Sequence, residues 1–305
     1  MQIHAKLVTV PCPACGSQTR IQIYPGTISP GNPSVFPRYS YDILLDGHHP
    51  IMECTRCGLH YACPRDSWDT LEQVYTAGSV ASYLKETEGK LASFRREAHF
   101  LRELCGTGGK LLEIGCATGL FLRAATEAGF SVQGCEPWQE AAIIAQQMFG
   151  SLVITGTFNP MDYASEHFRV IALWGVIEHV AEPAQMLRDI YNLLIPGGWL
   201  ALSTPNFQSL SRRLLRSRWH FFERPHLTFF DPESISHLLR TIGYADIRIR
   251  TEWVTYSTAY LASYLAKWSA VLSRALLRLD KMTLARLGLK LTLPNGAMRV
   301  YARKG

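Results

Sequence analysis

The 305-residue sequence predicts an α/β fold: a doubly wound, mixed seven-stranded sheet whose last strand is antiparallel, with a small cysteine-rich N-terminal module. Three observations predict it. Apolar runs of strand length alternate with helical patterns between residues 110 and 204, which is typical of a parallel sheet covered by helices on both faces. A turn from Glu113 to Gly119 contains two glycines and follows the first run. Two Cys-x-x-Cys pairs precede the array.

The elements follow in order along the chain. The predicted strands cover 110–115, 131–136, 151–155, 169–174 and 198–204, and the predicted helices cover 118–128, 138–148 and 183–194. A further helix begins after Asp231, an N-cap residue followed by proline, and ends at Gly243. Alternating patterns over 244–251 and 297–303 predict the hairpin that completes the sheet.

The glycine turn indicates a ligand site. Gly115 and Gly119 let the backbone approach a ligand closely, because a Cβ would obstruct either a turn with positive φ or the approach itself. Glu113 beside the turn argues against a pyrophosphate, which needs a positive helix end, and suits a ligand that carries an ammonium group. Glu136 ends the second strand, where a carboxylate binds ribose hydroxyls in nicotinamide-dependent enzymes as well.

The stretch Lys110–Leu122 resembles motif I of the class I S-adenosylmethionine (SAM) methyltransferases, with Ala117 at the middle glycine. Gly-Val-Ile-Glu-His at 175–179 and Leu-Ile-Pro-Gly-Gly at 194–198 continue the resemblance over about 105–250, in an order that dehydrogenases do not show. It implies a Rossmann-like fold with SAM as cofactor. The implied cofactor-binding residues are Glu113, Gly115, Cys116, Ala117, Gly119, Glu136, Pro137, Thr157, Phe158 and Trp174.

The paired cysteines predict a second site. Cys12 with Cys15 and Cys54 with Cys57 form two knuckles separated by 38 residues, and a glycine follows each. Four soft thiolates arranged in this way suit a tetrahedral Zn²⁺ with no open position, so we expect a structural zinc ribbon. Four unrelated buried cysteines or a redox pair are the alternatives. The segment after the second knuckle resembles bacterial SAM methyltransferases with an N-terminal zinc ribbon.

The reaction needs alignment of an already activated methyl group and removal of a proton from the acceptor. The predicted catalytic residues are His226, His179 and Glu178, and His220 is a further candidate base. The ubiquinone-pathway O-methyltransferases resemble this chain at 176–180, where their Glu-x-x-Glu-His is associated with a divalent cation. Gly175 replaces the first glutamate here, which argues against a catalytic Mg²⁺.

The segment 218–230 resembles the zinc-ribbon sugar C-methyltransferases, which carry a Glu-His pair followed by aromatic residues at this place. Pro225 precedes His226 in this chain, so only the histidine corresponds. An imidazole with its ordinary pKa near 6.5 accepts a hydroxyl or C–H proton at neutral pH. A hydrogen-bonded structural histidine is the alternative for each of these positions.

The predicted organisation has four parts: a zinc ribbon over 1–75, connecting helices and a lid over 76–105, a SAM-binding core over 106–252, and a basic amphipathic insertion with the final strand over 253–305. The resemblance to the zinc-ribbon methyltransferases implies that Tyr75, Tyr83 and the helical segment 91–104 cross the mouth of the cofactor site, and ordinary packing is the alternative for the two tyrosines. Within 253–290, basic and leucine side chains fall on opposite helix faces. This segment either packs on the sheet or makes a peripheral contact with a membrane.

The charge distribution and the apolar runs of the sequence argue against a nucleic-acid-binding protein and against a membrane-spanning protein. The net charge of +6 is modest and spread along the chain, and Trp174-Gly175-Val176 replaces the Asn/Asp-Pro-Pro-Tyr/Phe of base methyltransferases, so no nucleic-acid partner is expected. The sequence shows neither an apolar signal segment nor an apolar run of membrane-spanning length, and a cytoplasmic protein is expected, with peripheral contact at the inner membrane surface as an option.

The expected function is transfer of a methyl group from SAM to an oxygen or carbon of a small-molecule or sugar-type (glycan-precursor) acceptor. The alternative is a catalytically inactive SAM-binding protein that uses the zinc ribbon for interaction. The sequence gives no indication of oligomeric state.

Overall fold

The computed structural model describes residues 6–28, 47–67, 70–71, 80, 84, 87–106, 108–257 and 290–305. Its strands are β1 (Leu7–Val8), β2 (Arg20–Tyr24), β3 (Ile51–Cys54), β4 (His60–Ala62), β5 (Arg65–Asp66), β6 (Lys110–Ile114), β7 (Ser131–Glu136), β8 (Val153–Thr155), β9 (Phe168–Trp174), β10 (Leu194–Pro205), β11 (Thr228–Phe229), β12 (Tyr244–Ser257) and β13 (Lys290–Lys304). Its helices are α1 (Thr87–Cys105), α2 (Leu120–Glu127), α3 (Gln139–Phe149), α4 (Pro183–Leu193), α5 (Leu210–Leu215) and α6 (Pro232–Ile242).

Seven strands form the main sheet in the order β12-β13-β10-β9-β6-β7-β8. Strands β6 to β10 run parallel to one another, and β13 is antiparallel to both β10 and β12. The predicted Rossmann-like sheet with an antiparallel last strand is therefore confirmed. The final hairpin is longer than its sequence pattern indicates, since β12 continues to Ser257 and β13 begins at Lys290.

Apolar side chains cover both faces of this sheet, as a doubly wound fold requires. On one face, Leu112 and Ile171 pack with Leu187 of α4 and Ile235 of α6. The other face forms a second buried cluster with α1 and α2, centred on Phe121. Successive side chains of each strand point to opposite faces of the sheet. Because β6, β7 and β9 are parallel, their carboxyl ends lie at one edge of the sheet, where polar residues can lie.

The N-terminal module has a four-stranded sheet in the order β11-β4-β3-β2. Its outer strand, β11, comes from the segment that follows β10, far along the chain. Thr228 pairs with Tyr61, and Ala62 donates its N–H to the carbonyl of Leu227 over 2.9 Å. The cysteine-containing module and the core therefore share one sheet.

A buried ion pair strengthens this junction. Arg224 donates two hydrogen bonds to Asp66, from Nε over 2.7 Å and from Nη2 over 3.0 Å, and His49 Nε2 lies 2.9 Å from the same carboxylate. The Asp66 side chain is fully buried. Burial alone would raise the pKa of Asp66, but the hydrogen bonds from His49 and Arg224 outweigh it and lower that pKa to about 2.

Some predictions fall outside the described residues. Tyr75, Tyr83 and most of the basic insertion, 258–289, belong to this group, as does the predicted boundary at residue 75. Among the residues that the structure does describe, every helix is too short or too polar to cross a bilayer.

Candidate functional site

The glycine turn lies between β6 and α2 at the carboxyl edge of the sheet. Gly115, Ala117 and Gly119 all have positive φ, at 73°, 45° and 78°. A Cβ on Gly115 would lie 2.6 Å from Cγ2 of Val176, in the loop after β9, so only glycine permits this close approach. The turn that begins α2 and the loop that follows β9 are therefore in contact.

The backbone donors of this turn are used within the protein. Gly115 and Cys116 both donate their N–H groups to the carbonyl of Cys135, over 2.8 and 3.1 Å. Ala117 donates its N–H to Oε2 of Glu136 over 2.7 Å. A phosphate cradle needs such N–H groups to point at the ligand, and here carboxylates border the turn instead. The geometry thus favours a cationic ligand over a pyrophosphate.

Two buried carboxyl groups border the turn, Glu113 at the end of β6 and Glu136 at the end of β7. Oε2 of Glu113 has no hydrogen-bond partner among the described residues. Burial raises the pKa of Glu113 well above its usual value, and Glu136 adds to that shift. Burial also raises the pKa of Glu136 to about 7, although the N–H groups of Trp138 and Ala117 partly offset it.

The other residues of the predicted cofactor set lie in different environments. Trp174 is half-buried at the end of β9, with its ring centroid 5.0 Å from that of Phe121. Phe158 is half-buried against Tyr163, whereas Thr157 is exposed and Pro137 half-buried. The Cys116 side chain is buried in the core against α2, so only its backbone lies at the turn.

The three predicted catalytic residues converge. Glu178 and His179 lie on a 3-10 turn, Ile177–His179, directly after β9, and His226 lies in the loop that leads to β11. One nitrogen or oxygen atom from each of the three side chains lies within 4.8 Å of the other two. The rings of His179 and His226 have centroids 4.6 Å apart. Leu227 donates its N–H to the carbonyl of Glu178 over 2.8 Å, which fixes the two loops together.

Backbone carbonyls orient both imidazoles. Nδ1 of His179 lies 3.0 Å from the carbonyl of Pro225, and Nδ1 of His226 lies 2.8 Å from that of Phe221. A carbonyl oxygen only accepts, so each Nδ1 carries the proton and each neutral ring has an unprotonated Nε2. One nitrogen of each ring lies in the same cluster as the Glu178 carboxyl group.

Burial changes the ionisation of this cluster from what isolated side chains predict. It lowers the pKa of His179 to about 4, and with the neighbouring His179 it lowers the pKa of His226 well below 6.5. Burial raises the pKa of Glu178 to about 8. The expectation of an ordinary pKa near 6.5 at His226 is therefore wrong, because the residue is only 6% exposed and little solvent can stabilise an imidazolium. His220 lies outside the cluster, with its ring against Phe221.

A buried polar network beside Trp174 is not evident from the sequence. Arg299 of β13 forms ion pairs with Glu97 of α1 and with Glu252 of β12, and its guanidinium lies 5.6 Å from the centre of the Trp174 ring. The Tyr301 hydroxyl also donates to Glu97, over 2.5 Å. These residues come from three distant segments and carry no local motif, so only the fold brings them to one wall of the site.

The four N-terminal cysteines lie together. Sγ of Cys12 lies 3.6 Å from that of Cys57, and Sγ of Cys15 lies 3.6 Å from that of Cys54. In each knuckle the glycine donates its N–H to the first cysteine's carbonyl, Gly16 to Cys12 over 2.8 Å and Gly58 to Cys54 over 2.9 Å. The four sulfurs form a group that could hold a metal ion. The predicted knuckle geometry is present.

Known proteins match the core of the chain. Ubiquinone biosynthesis O-methyltransferase of Thiobacillus denitrificans is 31% identical over 105 residues, which is 32% of this chain and 45% of that protein. The mitochondrial enzyme of the same name from Mus musculus is 30% identical over 117 residues, 35% of this chain and 32% of that protein. The chain thus matches less than half the length of either relative.

A solved structure shows the same fold. The crystal structure of a SAM dependent methyltransferase from Archaeoglobus fulgidus has a TM-score of 0.50 and 17% identity, and the likeness covers 78% of this chain and all of that one. The family model described as methyltransferase domain matches residues 83–249, more than half of the chain. Because this match includes strands β6 to β10, the start of β12 and the glycine turn, the chain belongs to the methyltransferase domain family.

Proposed function

We propose that the protein transfers a methyl group from SAM to an oxygen or carbon atom of a small-molecule or glycan-precursor acceptor by direct displacement. One observation carries the proposal. The turn with two buried carboxyl groups and the Glu178–His179–His226 cluster lie at the same edge of the sheet, joined through Val176. A cation-binding turn beside proton-accepting side chains is the arrangement that methyl transfer requires.

The residues around the turn fit SAM. Each oxygen of Glu136 accepts one backbone N–H, from Ala117 or Trp138, which leaves lone pairs for the two ribose hydroxyls. An ammonium or sulfonium group beside Glu113 would oppose the effect of burial on its pKa and favour the ionised carboxylate, whose Oε2 has no hydrogen-bond partner among the described residues. The positive φ values of Gly115 and Gly119 keep the turn close to the ligand.

Replacement of Glu136 by alanine is expected to weaken SAM binding at least about tenfold, since a hydrogen bond to a charged group contributes about 1.5–3 kcal/mol. Wild-type affinity should also decrease as the pH falls below about 7, because burial raises the pKa of Glu136 to about 7 and the protonated form accepts fewer hydrogen bonds. Glu136→Gln should lose that part of the pH dependence. Isothermal titration calorimetry measures both effects.

The exposed Glu103 provides the matched control for this experiment, and Glu103→Ala should bind SAM as the wild type does. A folded Glu136→Ala protein with unchanged affinity at pH 7.5 would remove Glu136 from the site.

Side chains of this protein carry out the other parts of the reaction, which are alignment of the acceptor and removal of its proton. SAM supplies a methyl group that is already activated by the sulfonium. The protein aligns the acceptor with that methyl group and accepts the acceptor's proton, and Nε2 of His226 is the atom we assign to this step. The Phe221 carbonyl holds the ring in the required tautomer. The assignment of a sugar-type acceptor rests on the sequence resemblance of segment 218–230.

The alternative, a SAM-binding protein without catalysis, predicts a different result with labelled SAM. If the proposal is correct, protein incubated with methyl-labelled SAM and pooled nucleotide sugars or phenolic compounds transfers label to one class and releases S-adenosylhomocysteine. Binding of SAM by calorimetry, with no transfer to any class, would favour the inactive alternative.

We also propose that the four cysteines hold a structural Zn²⁺. A tetrahedral Zn²⁺ with Zn–S bonds of about 2.3 Å separates its sulfurs by about 3.8 Å, close to the two Sγ–Sγ distances of 3.6 Å. Cys12 and Cys54 are fully buried, so exchange of such an ion with solvent would be slow.

Cys54→Ser is expected to reduce bound zinc from one ion per chain to a small fraction and to make the N-terminal module sensitive to protease, because the ion contributes folding energy to a small ribbon. The main sheet should persist in far-UV circular dichroism. Cys105→Ser, in α1 and away from the cluster, is the matched control. Elemental analysis that finds no zinc in wild-type protein purified without a chelator would contradict the proposal.

A further inference from the structure

We infer that Arg65 and Asp66, two consecutive residues of β5, are positioning residues for the candidate active site. Each binds one of the two loops that carry Glu178, His179 and His226, so the cysteine-containing module sets the geometry of that cluster. The effect of this geometry on turnover rests on the proposed function. The orientation of the two histidine rings does not depend on it.

Strand β5 belongs to the N-terminal part of the fold, where it pairs with β1. Successive side chains of a strand point in opposite directions, so Arg65 and Asp66 can contact different parts of the core. Only 3% of Arg65 and 1% of Asp66 are exposed. A buried charged group needs hydrogen bonds or an opposite charge, so the partners of these two side chains determine what lies around β5.

Arg65 holds the loop that follows β9. Its Nη2 donates a hydrogen bond to the carbonyl of Ala181 over 3.0 Å. Ala181 lies two residues beyond His179, the last residue of the 3-10 turn Ile177–His179. The guanidinium of Arg65 therefore fixes the chain where it leaves that turn.

Asp66 holds the other loop through Arg224. Arg224 donates two hydrogen bonds to the carboxylate, over 2.7 and 3.0 Å, and such a bidentate pair fixes the direction of the guanidinium as well as its distance. Arg224 is the second residue of a tight turn in which His226 donates its N–H to the carbonyl of Glu223 over 3.0 Å. His226 thus ends a turn that is bound directly to β5.

The same turn also orients the second imidazole. Pro225 lies between Arg224 and His226, and its carbonyl lies 3.0 Å from Nδ1 of His179. Displacement of Arg224 would therefore move both the His226 ring and the group to which the His179 ring donates. One ion pair in the module controls two rings of the cluster.

Leu227 connects the module and the two loops through the backbone. Its N–H donates to the carbonyl of Glu178 over 2.8 Å, and its carbonyl accepts the N–H of Ala62 over 2.9 Å. Leu227 is fully buried, so water does not compete for these bonds. Arg65 and Asp66 add side-chain contacts to this backbone path, one to each loop.

NMR of the histidine rings tests the inference in the full-length protein without an acceptor. In protein labelled with ¹⁵N-histidine, a single tautomer and a mixture of tautomers give different ring-nitrogen shifts and coupling patterns. We expect the wild-type rings of His179 and His226 to be single Nδ1–H tautomers. Asp66→Asn should give averaged tautomers at both rings, because Pro225 and His226 follow Arg224. Arg65→Met, which keeps an apolar side chain but removes the donor, should change His179 more than His226.

Leu59→Ala is the control for stability, because it removes a buried apolar side chain from the module but no hydrogen bond to either loop. Both ring tautomers should be unchanged in it. Arg224→Lys replaces Asp66→Asn if the latter does not fold, since lysine keeps the charge but cannot form the bidentate pair. With the acceptor class found by methyl-labelled SAM, kcat of these loop variants should fall about tenfold to a hundredfold, the effect of a small misalignment. The SAM dissociation constant should stay within a factor of about two.

Unchanged ring signals in folded Asp66→Asn or Arg224→Lys protein would overturn the inference and leave the ion pair as a structural contact only. Averaged tautomers in the wild type would overturn it without any variant, and so would a matching change in Leu59→Ala. If the rings change but kcat does not, the inference fails and the proposed function stands. If the rings respond as expected and no acceptor is methylated, the positioning of the rings stands and the proposed function fails.

Discussion

His226→Ala is expected to lower kcat by about 10²–10⁴, the usual range for removal of a general base. The hydrogen bond from Nδ1 to the Phe221 carbonyl leaves the lone pair of the His226 ring on Nε2, and alanine at this position cannot take the acceptor's proton. SAM affinity should stay within a factor of about two, since the glycine turn and Glu136 do not contact this ring through any hydrogen bond of the described residues. Steady-state kinetics with the identified acceptor and calorimetry with SAM measure the two quantities.

His237→Ala provides the control, because His237 is exposed on α6 and lies outside the cluster. It should keep wild-type kcat. A His226→Ala protein that also keeps wild-type kcat would show that His226 is structural, and would leave Glu178, or alignment without a base, as the account of proton removal.

The second large effect concerns stability. Asp66→Ala is expected to cost about 3–5 kcal/mol of unfolding free energy, the range for removing one partner from a buried ion pair. Asp66 is fully buried and accepts two hydrogen bonds from Arg224, and its loss leaves a guanidinium that is 13% exposed without this carboxylate. Urea denaturation followed by tryptophan fluorescence should show the loss, since Trp219 lies in the same loop segment.

Glu127→Ala is the matched control, because Arg95 also pairs with Glu127 through two hydrogen bonds, but both side chains are well exposed. Exposed pairs contribute about 0–1 kcal/mol. The pH dependence has a definite sign: the folded pKa of Asp66, about 2, lies below its ordinary value of 3.8, so this stabilisation is present above pH 3.8 and is lost as the pH falls toward 2. Equal effects of the two substitutions would refute the role of the buried pair.

The sequence predicts the core well because the signals there are local. The run Lys110–Ile114 followed by Gly115 and Gly119 encodes a strand, a turn and a helix start within ten or so residues, and the structure has all three. The capped helix after Asp231 is also confirmed, including the hydrogen bond from the Ser234 N–H to Asp231. Likewise, each Cys-x-x-Cys-Gly unit encodes its own tight turn.

The features of the site that the sequence does not predict depend on contacts between distant segments of the chain. His226 appears in the sequence as one histidine of an aromatic loop, and only the fold brings it to Glu178 and His179. The burial of His226 cannot be read from the sequence either, and this burial is why its pKa is not the ordinary value near 6.5. Arg299 and Glu97, which form an ion pair beside Trp174, have no spacing that would connect them.

The shared sheet also sets an order of events during synthesis. The four cysteines all precede β4, so the knuckles can form soon after they leave the ribosome, but β11, the second partner of β4, emerges much later. Asp66 and Arg224 are 158 residues apart, a delay of roughly 8–32 s at about 5–20 residues per second. During that interval the backbone groups of β4 that later pair with β11 have no strand beside them from this chain. The cysteine-containing module can thus start to fold before the main sheet is synthesised, and it is completed only after β11 has emerged.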